Sequence, residues 1–154
     1  MSTNREAYSF NFSPDFMAPL DGYGMVKTLR AGETVLKENA YIRAVPIVVH
    51  GSIRVMRTDE EGREILLYYI RPGESCIMSF LGGMHGAPSI INAVAEEDSE
   101  VMLIPVDKAA WLLREFPEWL DYLVRLYHRR FEELLDVVNA IAFRKSSDRK
   151  DART

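Results

Sequence analysis

From residue 25 onward the chain alternates short apolar runs with turn residues. The runs fall at 26–29, 34–36, 45–49, 53–57, 64–70, 90–95 and 100–104. Between them stand Ala31-Gly32-Glu33, Glu38-Asn39, His50-Gly51, the stretch 58–62, Arg71-Pro72-Gly73, the acidic stretch 96–98 and Pro105. Runs this short, with turn chemistry every 8–12 residues or so, predict the strands of an antiparallel sandwich or barrel. Asp59-Glu60-Glu61-Gly62 separates two of them and predicts a hairpin in which Gly62 takes a positive φ. The lead-in 1–24 has Pro14, Pro19, Gly22 and Gly24 among the aromatics Tyr8, Phe10, Phe12 and Phe16, with little periodicity. It reads as loop with a short helix at most.

After Pro105 the period changes. Asp107 is placed to cap a short helix over 108–116. Pro117 fits the first turn of a second helix, where its missing N–H costs little. That helix meets no Gly or Pro before about residue 143. Leu120, Val124, Tyr127, Phe131, Leu134, Val138 and Ile141 follow one another in steps of four and three, a sustained heptad spacing. A second stripe, Leu123, Leu126, Leu135 and Ala142, widens the apolar face. One stripe can cover the chain's own strands while the other meets a second copy, so a homodimer is expected. The competing reading is one amphipathic helix lying on its own domain. The tail 144–154 is polar, with five Lys/Arg and two Asp.

Composition narrows the function classes. Of 154 residues, 47% are hydrophobic and 27% charged, the balance of a folded domain with a real core. The net charge of -4 makes the chain a poor binder of nucleic acid by itself. A single cysteine excludes a disulfide framework and a cysteine-rich zinc site. His50, His85 and His128 are too scattered for a metal motif. No apolar run approaches the roughly 20 residues of a membrane span, and the start lacks signal-peptide character. A cytoplasmic protein is expected, with no membrane contact.

Several ordered pieces carry a family likeness. They are Leu29-Arg30-Ala31-Gly32-Glu33, Val48-Val49-His50-Gly51-Ser52-Ile53-Arg54-Val55, Glu61-Gly62-Arg63-Glu64-Ile65-Leu66 and Ile70-Arg71-Pro72-Gly73-Glu74. Ala95-Glu96-Glu97-Asp98-Ser99-Glu100-Val101, His128-Arg129-Arg130-Phe131 and Ala140-Ile141-Ala142-Phe143 complete the set. In this order the chain resembles the sensor half of the Crp/Fnr transcription regulators. The resemblance implies a mainly β plus α fold: an antiparallel double-stranded β-roll (a jelly roll like the cyclic-nucleotide-binding fold), a short helix and a long C-terminal dimerisation helix. It divides the chain into a lead-in 1–24, a β-roll sensor domain with short helix 25–116, a dimerisation helix 117–143 and a polar hinge or tail 144–154. DNA contact would come only through a domain absent from this chain.

The resemblance also places an effector pocket at Glu74, Cys76, Met78, Ser79, Pro88, Ser89, Arg130, Leu134 and Leu135. The family's nucleotide binders hold ribose with a Gly-Glu-Leu turn and phosphate with an Arg-Ser pair. Those positions here read Ile77-Met78-Ser79 and Pro88-Ser89, and the purine-contacting positions are Leu134 and Leu135. No Arg occurs between Arg71 and Arg114. A buried ring phosphate needs donors and a counter-charge, so cyclic AMP is not the expected effector.

The stretch 74–88 reads as an irregular, mobile loop with Met78, Phe80, Leu81 and Met84. It is expected to lie near 130–135 of the long helix and wall an apolar cavity without a buried cation. An uncharged organic effector, or haem with His85 as axial ligand and Met84 or Cys76 behind it, would suit such a pocket. Otherwise these side chains simply fill the roll and His85 sits on the surface; no cofactor is then expected. His50 and His128 read as surface residues, and Cys76 as a small hydrophobe with a lesser redox alternative. Arg130 would pair with Glu133 or Asp136 on its own helix, or with Glu74 or an effector carboxylate. An enzyme is not expected, since nothing assembles a cupin-type histidine set or a nucleophile–base pair.

Overall fold

The computed structural model describes residues 18–20 and 22–151. Seven strands are present among these: β1 Met25–Leu29, β2 Thr34–Leu36, β3 Ala44–His50, β4 Ile53–Thr58, β5 Glu64–Ile70, β6 Asn92–Ala95 and β7 Ser99–Pro105. Three helices accompany them: α1 Ile77–Met84, α2 Val106–Glu115 and α3 Pro117–Asp151. The expected strands thus appear in the expected order. Of the lead-in, Ala18–Leu20 makes one 3-10 turn, and the four aromatics lie outside the described residues.

Every strand pair is antiparallel. One sheet has the order β1-β7-β3, the other β2-β6-β4-β5. The two form the predicted roll. The core between them draws on all seven strands: Leu29, Leu36, Val48, Ile53, Val55, Ile70, Ala93, Ala95 and Val101. Strand β3 is buried on both faces, from Val45 to Val49, because α1 and α2 pack on it as well. This is why it reads as an unbroken apolar run rather than an alternation. Gly62 takes φ +85 at the tip of the β4–β5 hairpin, where Asp59 accepts the Glu61 and Arg63 amides at 2.9 and 2.8 Å.

Three boundaries differ from expectation by two residues or more. Helix α2 begins two residues earlier than 108, because β7 runs straight into it through Pro105. The Val106 amide is satisfied by the Arg43 carbonyl at 3.0 Å, and Pro105 rather than Asp107 stands at the N-cap position. Asp107 instead lies in the first turn, where its charge suits the positive helix end. Strand β6 starts at Asn92 rather than 90, because the Ser89 hydroxyl ties up both backbone groups of Ile91. Helix α3 starts at Pro117 as expected but continues past 143 to Asp151, through most of the polar tail. That stretch contains no Gly or Pro to break a helix.

The chain divides into two compact units, Met1–Leu120 and Asp121–Thr154, with the boundary inside α3. In the second unit, Asp121 pairs with Arg125, His128 with Glu132 at 2.7 Å and Arg130 with Glu133 at 3.1 Å along the helix surface.

Candidate effector-binding site

The stretch 74–88, expected as an irregular loop, contains a helix. Gly82 and Gly83 suggested irregularity, yet they are helical and serve close packing. A Cβ on Gly82 would stand 2.8 Å from Ile42 Cδ1, and one on Gly83 2.9 Å from Val106 Cγ2. The glycines therefore let α1 approach the segment before β3 and the start of α2. The helix ends at His85, and Gly86 follows with φ +66, the conformation that terminates helices.

Glu74 closes the turn that leads into α1. Its carboxylate accepts the Arg71 amide at 2.8 Å, and its backbone carbonyl accepts the Val48 amide at 3.0 Å. Ser75 is anchored on β3 through its hydroxyl, which donates to the Pro46 carbonyl at 2.8 Å. Cys76, at the N-cap position without a side-chain cap bond, is fully buried in the core between the sheets. Its thiol lies 3.6 Å from the Tyr68 hydroxyl, hydrogen-bond distance for sulfur. Met78 is half-buried and packs on the same core. Ser79 is fully buried, and its Oγ has no hydrogen-bond partner among the described residues. Phe80 is fully buried as well.

Beyond the helix, Pro88 is exposed and makes an isolated bridge with Tyr41. Ser89 is buried and its hydroxyl is engaged twice: it donates to Ile91 O at 2.7 Å and accepts from Ile91 N at 3.2 Å. Its backbone is bonded to Asn39 and Ala40 at 2.7 and 2.8 Å. His85 is exposed, as are His50 and His128. No group of three or more His, Cys, Asp or Glu able to hold a metal occurs among the described residues.

Glu74, Cys76, Met78, Ser79, Pro88 and Ser89 lie in the first unit, where Cys76 and Met78 share the core between the sheets. Arg130, Leu134 and Leu135 belong to the second. There the Arg130 side chain is mostly buried and donates to Glu133, one of the partners expected on its own helix. Leu134 and Leu135 are about half exposed. Sequence reasoning missed the tie between 39–41 and 88–89. Only the polar Asn39, which adopts φ +68, hinted at a special turn there.

Among the described residues, a seven-stranded antiparallel roll with a helix between β5 and β6, followed in sequence by a long helix, is the architecture of the cyclic nucleotide-binding fold. The cyclic nucleotide-binding domain family matches residues 26–116, more than half of the chain, and the chain belongs to it. Among solved structures it is similar to the catabolite activator protein of Thermus thermophilus, with a TM-score of 0.69 and 25% identity over 85% of this chain. It is similar also to the N-terminal domain of a transcriptional regulator from Streptomyces coelicolor A3(2), TM-score 0.59, 23% identity, 80% of this chain and 87% of that one. A third is a cAMP-binding acyltransferase from Mycobacterium smegmatis, TM-score 0.67, 20% identity, 81% of this chain and 39% of that one. The chain spans 61% of the Thermus protein's length. No curated protein matches the sequence. The Crp/Fnr likeness read from the sequence is thus borne out at the level of the domain. No described helix is long and apolar enough to cross a membrane.

Proposed function

We propose that this chain is the effector-sensing and dimerisation half of a Crp/Fnr-like transcription regulator, acting in the cytoplasm, and that its effector is not cyclic AMP. One observation carries the second clause. Ser89 alone matches the phosphate-binding pair of the nucleotide binders, and its hydroxyl is already spent on Ile91. Met78, where a ribose acceptor would stand, packs on the apolar core. A cyclic phosphate would lose its hydration without gaining a cation or a free donor at these positions.

The dimerisation clause draws support from the exposed heptad positions of α3. All seven, from Leu120 to Ile141, are close to half exposed. Effector binding near α1 would favour one arrangement of two such helices over another and so pass a signal by population shift. DNA contact would belong to a further domain of the kind such regulators carry. The residues present do not suit haem, because His85 and Met84 are both exposed and offer no apolar enclosure. We read the domain as a binder rather than a catalyst.

Titration calorimetry with cyclic AMP tests this. Binding no tighter than about millimolar, near -4 kcal/mol, is expected. Micromolar binding would overturn the assignment of Met78 and Pro88. Met78→Glu with Pro88→Arg restores both missing charges and should give measurable nucleotide binding. A folded double variant that still ignores the nucleotide would also count against these positions.

A further inference from the structure

A half-open groove of about 350 Å³ runs along β2 and β3 in the first unit. Its floor is apolar, made by Val35, Leu36, Ala44, Pro46 and Leu103. Pro46 and Leu103 are direct partners across the β3–β7 ladder. Lys37, Arg43 and Tyr41 line it too, all exposed, Tyr41 by 70%. Among the described residues, no Asp or Glu lines the groove. Neither Lys37 nor Arg43 joins an ion pair among the described residues. The carboxylates next in sequence are committed elsewhere. Glu38 accepts from Thr58 N at 2.7 Å and Asn92 Nδ2 at 3.1 Å, and Glu33 from Arg30 N at 3.2 Å.

We propose that this groove binds a small amphipathic organic anion, with a hydrocarbon body on the Pro46–Leu103 floor and a carboxylate at Lys37 and Arg43. Two demands meet in one occupant. Among the described residues, the apolar floor is incompletely covered and the two cations lack a counter-charge. A bare inorganic anion would meet only the second demand and a neutral apolar molecule only the first. The volume lies at the lower end of small-molecule clefts, roughly 300–1,000 Å³. That fits a short-chain carboxylate better than a protein segment. The site is separate from the effector residues on α1, but its wall is tied to them. Ser89 N donates to Ala40 O at 2.8 Å, and Asn39 N to Ser89 O at 2.7 Å. An occupant therefore touches a segment that is hydrogen-bonded to the end of the effector stretch.

Two-dimensional amide NMR of the whole chain, titrated with hexanoate, octanoate and decanoate, tests the proposal. Saturable shifts are expected at residues 34–37, 40–45 and 103. Affinity should rise about fourfold per methylene until the groove is filled. Octanol, without the charge, should bind about tenfold more weakly, in keeping with a lost charge-assisted contact. Lys37→Glu with Arg43→Glu, at exposed positions that leave the core untouched, should weaken octanoate by at least about tenfold for the same reason. No saturable shift up to about 10 mM would overturn the proposal. So would shifts centred on residues 76–89, equal binding of octanol, or an unaffected double variant.

Discussion

On β3, Val45, Ile47, Val48 and Val49 are 0–3% exposed. On α3, Leu120, Val124, Tyr127, Phe131, Leu134, Val138 and Ile141 are 48–57% exposed. Both elements carry continuous apolar surface, and their composition alone does not separate them. The difference lies in what the chain provides as cover. Strand β3 sits between the opposite sheet and the helices α1 and α2, so its own fold buries both faces. Among the described residues, the seam of α3 has no such cover. Seven large apolar residues on one heptad track exceed the scattered exposure ordinary for a surface. Covered surface of the first kind stabilises the monomer. Uncovered surface of the second kind is what another chain would bury.

The comparison predicts opposite outcomes for charge placed on the two elements. Val48 faces Val101 across the ladder inside the core. Val48→Asp buries a carboxylate with no partner, which costs at least about 3–5 kcal/mol. That is much of the stability of a typical domain, about 5–15 kcal/mol. The variant should lose cooperative urea unfolding at room temperature. A melting temperature within a few degrees of the parent's would mean that β3 is not buried in solution.

Charge on α3 should instead separate chains and spare the fold. Phe131→Glu with Leu134→Glu removes two side chains per copy, each contributing roughly 1.5–3 kcal/mol when buried. Association should weaken more than about a hundredfold, read by sedimentation equilibrium across a concentration series. The urea midpoint of the dissociated chain should stay with that of the first unit. A parent sedimenting as one chain at every concentration would remove the basis for the seam.

The cover on β3 can be probed more gently through Gly83. A side chain there meets Val106 Cγ2 and, at 3.3 Å, Ile42 Cγ2. Both are short branched side chains with little room to yield. Gly83→Val should destabilise by about 1–3 kcal/mol through overpacking, measured as a shifted urea midpoint at constant slope. An unchanged midpoint would show that α1 does not press on α2 as described.

These elements also show how far the sequence could be read. The strands were legible because turn residues punctuate them. Gly62 took its expected φ, and Pro117 its expected place in the helix start. Helix α1 was illegible for a physical reason. Gly82, Gly83 and Gly86 read as chain flexibility, yet two of the three let α1 approach Ile42, before β3, and Val106, at the start of α2, both far away in sequence. Asp107 misled in the same way, since the helix start is fixed two residues earlier, where the Arg43 carbonyl takes the Val106 amide across the fold. At the site, the absence of charge at Met78 and Pro88 could be read from type alone. That Ser89 is spent on Ile91 could not, because a hydroxyl's partner is a matter of geometry.

The smallest predicted effect concerns Ser79. Its hydroxyl is buried on α1 with no hydrogen-bond partner among the described residues, in the stretch proposed to meet the effector. A buried hydroxyl left unpaired costs roughly 1–3 kcal/mol in lost hydration. Ser79→Ala deletes that cost but also a few packing contacts, so the net gain should be no more than about 1 kcal/mol. The sign is the informative part. If the hydroxyl served only the fold, its removal would destabilise. A group retained at a cost to stability fits a role in binding, where stability is commonly given up for function. The urea midpoint should therefore rise slightly or hold, whereas Gly83→Val lowers it. A loss of more than about 1 kcal/mol would show that the hydroxyl is hydrogen-bonded in solution, and it would remove Ser79 from the candidate site.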